Sequence, residues 1–117
     1  MSAAARDFET LPFSEEVFAL VSMIPTGCVL SYGDVAGLLG SRAARAVGRV
    51  MRDSGSELPW WRVVSARGDL PAALAAQARR HYSREQTPMR ANGTVDLAAA
   101  RWHSASTFGI GLAAESE

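Results

Sequence analysis

Ser41-Arg42-Ala43-Ala44-Arg45-Ala46-Val47-Gly48-Arg49-Val50-Met51-Arg52 is the stretch that decides the fold class of this 117-residue chain. At about 100° per residue, Arg42, Arg45, Arg49 and Arg52 fall in one stripe of roughly 80°. Val47, Val50 and Met51 lie on another face and pack inward. Ser41 is placed to cap this helix, and Gly40 to stop the one before it. That preceding helix starts near Ser31 and turns Val35, Leu38 and Leu39 inward. Two helices joined through a tight Gly-Ser turn form the helix-turn-helix pattern. Four arginines with no acid among them make a positive ridge, which is either a solvated face or a match for a phosphate backbone.

Outward from this unit, the sequence reads as one mainly α domain over residues 13–103, with a flexible leader (1–12) and a flexible tail (104–117). Phe13, Val17, Val21 and Ile24 mark a first helix, which Ser14 can cap and Glu15 and Glu16 favour at its positive end. Pro25-Thr26-Gly27 ends it. Leu58 to Val64 reads as an extended segment entering a loop at Ser65–Asp69. Pro71 opens an alanine-rich helix reaching His81 or Arg84. Asn92-Gly93 marks a turn between short extended pieces, and Asp96 caps a last helical turn from Leu97 to Trp102.

Composition excludes several function classes. Hydrophobic residues make up 48% and charged residues 21%, and the formal net charge is zero, so no whole-molecule field attracts nucleic acid. All twelve basic residues are arginine, which codon bias in a GC-rich genome explains, although arginine also suits bidentate phosphate contacts and base stacking. One cysteine, Cys28, allows no internal disulfide and no cysteine-rich metal site, and its apolar turn suits an inert thiol. The sequence carries no membrane-length apolar run and no metal or cofactor motif, and the expectation is a cytoplasmic monomer.

Around Arg45, the small residues Ala43, Ala44, Ala46 and Gly48 let the helix approach another surface closely, as a minor-groove binder requires. The spelling Ala-Ala-Arg-Ala-Val-Gly resembles the recognition helix of the O6-alkylguanine-DNA alkyltransferases. The stretch from Pro25 through Tyr32 to Ala36 resembles the family's approach to that motif. Pro59-Trp60-Trp61-Arg62-Val63 resembles its Pro-Cys-His-Arg-Val active-site motif. The likeness covers Phe13 to Ser65 with three motifs in order. It extends more weakly to Trp102, where Gly93-Thr94-Val95-Asp96-Leu97-Ala98-Ala99-Ala100-Arg101-Trp102 is similar to a run found in the alkyltransferase-like proteins. Those proteins are the branch of the family with tryptophan in place of the cysteine.

The resemblance implies a winged-helix-like, helix-turn-helix domain of the alkyltransferase C-terminal type. It implies that Arg42, Ala43, Ala44, Arg45, Ala46, Gly48 and Arg49 meet the minor groove. Arg45 would fill the gap left by a flipped nucleotide, and Tyr32 would help turn that nucleotide out. Tyr32, Pro59, Trp60, Trp61, Arg62 and Val63 would form the lesion pocket. Within it, Trp60 would line the alkyl side, Trp61 would serve packing or the rim, and Arg62 would be mainly scaffold. Trp60 stands where the family keeps its nucleophile and Trp61 where it keeps the activating histidine, and an indole supplies neither group. The implied protein binds O6-alkylguanine in double-stranded DNA without repairing it and directs it to nucleotide excision repair proteins. Three departures concern lesion preference: Trp61 for histidine, no arginine near Ala73 (leaving Arg67 as a stand-in), and Ser54 for asparagine after the recognition helix.

Two other functions suit the same residues. A base-acting repair enzyme needs a positioned carboxylate or amine, and no acid lies between Leu58 and Gly68. A sequence-specific transcription factor would read base edges with Arg42, Arg45 and Arg49 and would be expected to dimerise.

Overall fold

Residues 12–103 are described by a computed structural model, so the leader expected at 1–12, apart from Pro12, and the tail expected at 104–117 lie outside the described residues. Helix α1 (Phe13–Ser22) buries Val17, Leu20 and Val21. Ser14 does not cap it. The carbonyl of Pro12 accepts the N–H groups of Glu15 (2.9 Å) and Glu16 (3.1 Å), so the helix has already begun when the chain reaches Ser14. A turn through Gly27 (φ +86°) leads to β1 (Leu30–Ser31) and α2 (Tyr32–Leu38). Ser31 and Asp34 cap α2 reciprocally, each side chain bonding the other's backbone N–H at 2.9 Å, which satisfies two otherwise orphaned donors.

The recognition-type helix α3 spans Ala44–Ser54 and starts two residues later than a cap at Ser41 would place it. Ser41 Oγ accepts the N–H of Ala43 (2.9 Å), a local two-residue turn that takes the hydroxyl away from a helix cap. Arg42 and Ala43 therefore belong to the connecting turn. The segment after it also differs from expectation. Trp60–Arg62 form a 3-10 turn, and only Val63–Val64 (β2) are extended. Helix α4 (Ala72–Glu85) follows with Pro71 immediately before it. An antiparallel bridge joins Met89 to Val95 around Asn92-Gly93, and α5 (Leu97–Ala100) is capped by the Asp96 side chain.

Strands β1 and β2 pair in parallel, Leu30 with Val63 and Ser31 with Val64. Because side chains alternate along a strand, this short ladder divides the core in two. Leu30 and Val63 join Val17, Val21, Ile24, Val35, Val47 and Met51 on the helix-turn-helix side. Val29 and Val64 join Ala78, Tyr82, Val95, Leu97 and Ala100 on the side of α4 and α5. Trp60 packs against both clusters. The result is a mainly α helix-turn-helix fold with a second layer formed by α4, the hairpin and α5. The last turn ends at Ala100, and Trp102 instead donates its backbone N–H to Val29 (2.9 Å), tying the segment after α5 to the residue before β1. Arg101 adds an ion pair to Asp34 of α2 (3.0 Å).

Gly68 shows how closely the loop after β2 packs on the hairpin. It is buried at φ +87°, its carbonyl accepts the N–H of Val95 (2.8 Å), and a Cβ there would overlap the Val95 carbonyl. Gly68→Ala should cost about 2 kcal/mol or more through strain and overlap. A urea melt checks this, and an unchanged midpoint would contradict the close approach.

Candidate nucleic-acid interface

Helix α3 presents Arg45, Arg49 and Arg52 to solvent while Val47 and Met51 anchor it in the core. Among the described residues Arg45 and Arg49 form no ion pair, and Arg52 pairs only with its exposed neighbour Asp53 at 3.6 Å. An exposed pair of that kind holds little energy, so the arginine edge is available to an external anion. A Cβ on Gly48 would meet nothing within 4 Å, which leaves the helix surface flat beside Arg45 and Arg49. Arg42 and Ala43 stand exposed in the preceding turn, while Ala44 and Ala46 are half-buried.

Beside this edge lies a cleft of ≈ 670 Å³ between α3 and the N-terminal half of α4. Tyr32 and Trp60 supply aromatic walls, and Leu70, Pro71 and Leu74 supply aliphatic ones. Gln77 is a neutral polar group on the α4 side, and Arg45, Arg49 and Arg52 line the α3 side. Burial, and then the Asp69 carboxylate, raise the pKa of Tyr32, so its phenol stays protonated and can donate. No carboxylate or imidazole is among the lining residues. Leu70, Leu74 and Gln77 were not read as site residues. Leu74 and Gln77, three residues apart, share one face of α4, and Leu70 joins them from the loop before the helix; Leu74 is 37% exposed, so that face is not core.

The 3-10 turn distributes the three residues of the tryptophan motif. Successive residues there rotate by about 120°, so Trp60, Trp61 and Arg62 point three ways. Trp60 faces the cleft. Trp61 stacks flat on His81 of α4 (centroids 3.5 Å apart, planes 6° apart) and donates its indole N–H to Glu85 Oε2 (2.8 Å). Arg62 reaches the same carboxylate through Nε (3.2 Å) and Nη2 (2.7 Å), and donates to the Ile24 carbonyl (2.8 Å) and Thr26 Oγ1 (3.2 Å). Gly27 N–H completes the set on Glu85 Oε1 (2.9 Å). Trp60 sits edge-on to both Trp61 (5.5 Å) and His81 (5.8 Å), so its ring is held from behind.

Residues 12–88 match the family model described as the DNA binding domain of 6-O-methylguanine DNA methyltransferase. The chain belongs to that family. The DNA base-flipping protein of Escherichia coli is 41% identical over 96 residues, covering 78% of this chain and 74% of that one. Among solved structures, S. pombe Atl1 in complex with damaged DNA containing O6-carboxymethylguanine superposes with a TM-score of 0.67 at 26% identity. That match covers 77% of this chain and 94% of the other. A variant of the M. tuberculosis O6-methylguanine methyltransferase matches at TM-score 0.56 and 27% identity, over 71% of this chain and 55% of that protein.

Within this family member, the residues expected at the site separate into groups. Tyr32, Arg45, Gly48, Arg49 and Trp60 converge on the cleft. Pro59, Trp61, Arg62 and Val63 do not line it: Trp61 and Arg62 turn toward Glu85, and Val63 is 1% exposed in the core. Arg67, the suggested stand-in for a pocket arginine, is exposed and also absent from the lining. Ser54 ends α3, exposed to solvent. Cys28 packs against the helix-turn-helix core and not in the cleft. Among the described residues no cluster of three metal-ligating side chains occurs, and no helix is long and apolar enough to cross a membrane.

Glu85 is the ionisable group on which the turn hangs. Burial pushes its pKa up, but hydrogen bonds from Arg62, Gly27 and Trp61 and the Arg62 charge outweigh burial, leaving it below its ordinary value of 4.5. A carboxylate depressed in this way stabilises the fold above that ordinary value and loses its contribution as pH falls through the depressed one. Glu85→Gln should therefore cost about 3 kcal/mol at neutral pH, the scale of breaking a buried ion pair. The gap to wild type should narrow in acid. Denaturant melts at pH 7 and pH 3 check both, and a gap independent of pH would contradict an ionised Glu85.

Proposed function

We propose that this protein recognises O6-alkylated guanine in double-stranded DNA, turning the damaged nucleotide out of the helix and holding it without repairing it. The observation that carries this reading is the aromatic and aliphatic cleft directly beside the arginine edge of α3. Helix α3 would enter the minor groove, where Arg45, flanked by small residues, would fill the space the nucleotide leaves. The extruded base would stack on Trp60, receive a hydrogen bond from the Tyr32 phenol, and place its alkyl group against Leu70 and Leu74. The flipping and damage-bound relatives described above support the same reading.

Repair by alkyl transfer needs an activated nucleophile. The hydroxyl-bearing residues of the cleft are Tyr32 and Ser56, and no base lines it to activate them. Glu85, the carboxylate closest to the tryptophan motif, is engaged by Arg62, Trp61 and Gly27. A lesion held but not altered must be removed by other proteins, so the complex would act as a monomeric marker for nucleotide excision repair.

Binding to a short duplex carrying one O6-methylguanine, compared with the same duplex carrying guanine at fixed salt, tests this reading. Wild type should prefer the damaged duplex and leave the methyl group in place. Arg45→Ala and Trp60→Ala should each lower that preference by roughly tenfold, the scale of one lost stacking or wedge contact. Equal affinity of wild type for both duplexes, or loss of the methyl group, would overturn it.

A further inference from the structure

Helix α4 carries a second basic surface that the cleft does not use. Its core face holds Ala78 and Tyr82, and its cleft face holds Leu74 and Gln77. The remaining face presents Arg79, Arg80 and Arg84 around a shallow groove of ≈ 570 Å³ lined also by Ala76 and Ser83. All three arginines are exposed, and among the described residues none forms an ion pair. From Leu70 to Thr94 the sequence holds one carboxylate, Glu85, and Arg62 occupies it. Asp69 lines a small cavity with Arg79 without forming an ion pair to it, so no carboxylate neutralises the three arginines by direct pairing. At 100° per residue Arg80 and Arg84 lie within about 60° of Gln77 around the helix, so they continue the line of the cleft wall by two turns.

We infer that the Arg79-Arg80-Arg84 face of α4 is a second phosphate-binding surface, which grips the DNA backbone flanking the nucleotide held in the cleft. This rests on the DNA-binding reading above. The chemistry of the ridge selects nucleic acid over an acidic protein. Protein interfaces are anchored by buried aromatic or large aliphatic side chains, and the groove offers only alanine and serine between its arginines. Arginine on a flat, small-residue helix face is instead the composition of α3 itself. Phosphate contacts position a protein without reading sequence, so this surface would add affinity equally for damaged and undamaged DNA, while the cleft supplies selectivity.

The test is the salt dependence of binding to lesion and control duplexes by the full chain carrying R79A, R80A and R84A together. Alanine preserves the helix at exposed sites, and circular dichroism confirms the fold. Each lost phosphate contact should reduce the slope of log K against log salt by about 0.9, so the triple variant should lose up to about 2.7. The preference for damaged DNA should stay unchanged. The triple lysine variant, R79K with R80K and R84K, should restore the slope, because a point charge suffices. Arg90→Ala, which removes one charge from the hairpin, measures the effect of net charge alone. A loss of slope in the triple variant no greater than three times that of the control overturns the inference while leaving the lesion reading intact. Trp60→Ala does the reverse, losing selectivity at constant slope. Wild type that binds neither duplex overturns both.

Discussion

The carboxylate of Glu85 is the constraint on which the rest of the site depends. It sits at the end of α4, with its side chain 8% exposed, and accepts hydrogen bonds from the backbone of Gly27, the indole of Trp61 and the guanidinium of Arg62. Three segments far apart in the chain thus converge on two oxygens: the turn after α1, the tryptophan turn and α4. A buried charge is costly unless it is paired and fully hydrogen-bonded, so this geometry has little freedom to drift. Tyr82 reinforces it one turn earlier, its hydroxyl donating to the Trp61 carbonyl (2.7 Å). Burial raises the pKa of that phenol, which keeps it a donor.

From that anchor the wall of the cleft follows. With Trp61 held by Glu85 and stacked on His81, the 3-10 turn must send Trp60 the other way, toward α3. His81 supports both rings, and burial followed by the Arg84 charge lowers its pKa, favouring the neutral imidazole for the stack. A ring fixed on two edges loses little freedom when a base stacks on it, which is the physical basis of preorganisation. The cleft belongs to both layers of the fold, since Trp60 packs on both core clusters, and α3 and α4 meet across it. Recognition of a flipped base would then couple the helix in the groove to the helix that carries the second arginine face.

Much of this was legible in the linear chain. The periodicity of Val47, Val50 and Met51 against the arginines marked α3, and Ser31 marked the start of α2, where the structure adds Asp34 as its reciprocal partner. Asn92-Gly93 and Asp96 marked the hairpin and the last turn. The errors came from local hydrogen bonds that compete with helix and strand. Ser41 closed a turn on Ala43 instead of capping α3, Pro12 opened α1 ahead of Ser14, and the tryptophan motif coiled instead of extending. Such alternatives differ by amounts that periodicity does not register.

By itself, then, the sequence determined the helix-turn-helix, the family and the pair Tyr32 and Arg45, because each is written in residues close together in the chain. Only the tertiary structure decided that Leu70, Leu74 and Gln77 form the far wall of the cleft, and that Glu85 holds Arg62 and Trp61. Those assignments depend on contacts between residues more than ten and up to fifty-eight positions apart. They follow from how two core layers pack on a ladder two residues long, which local pattern does not encode.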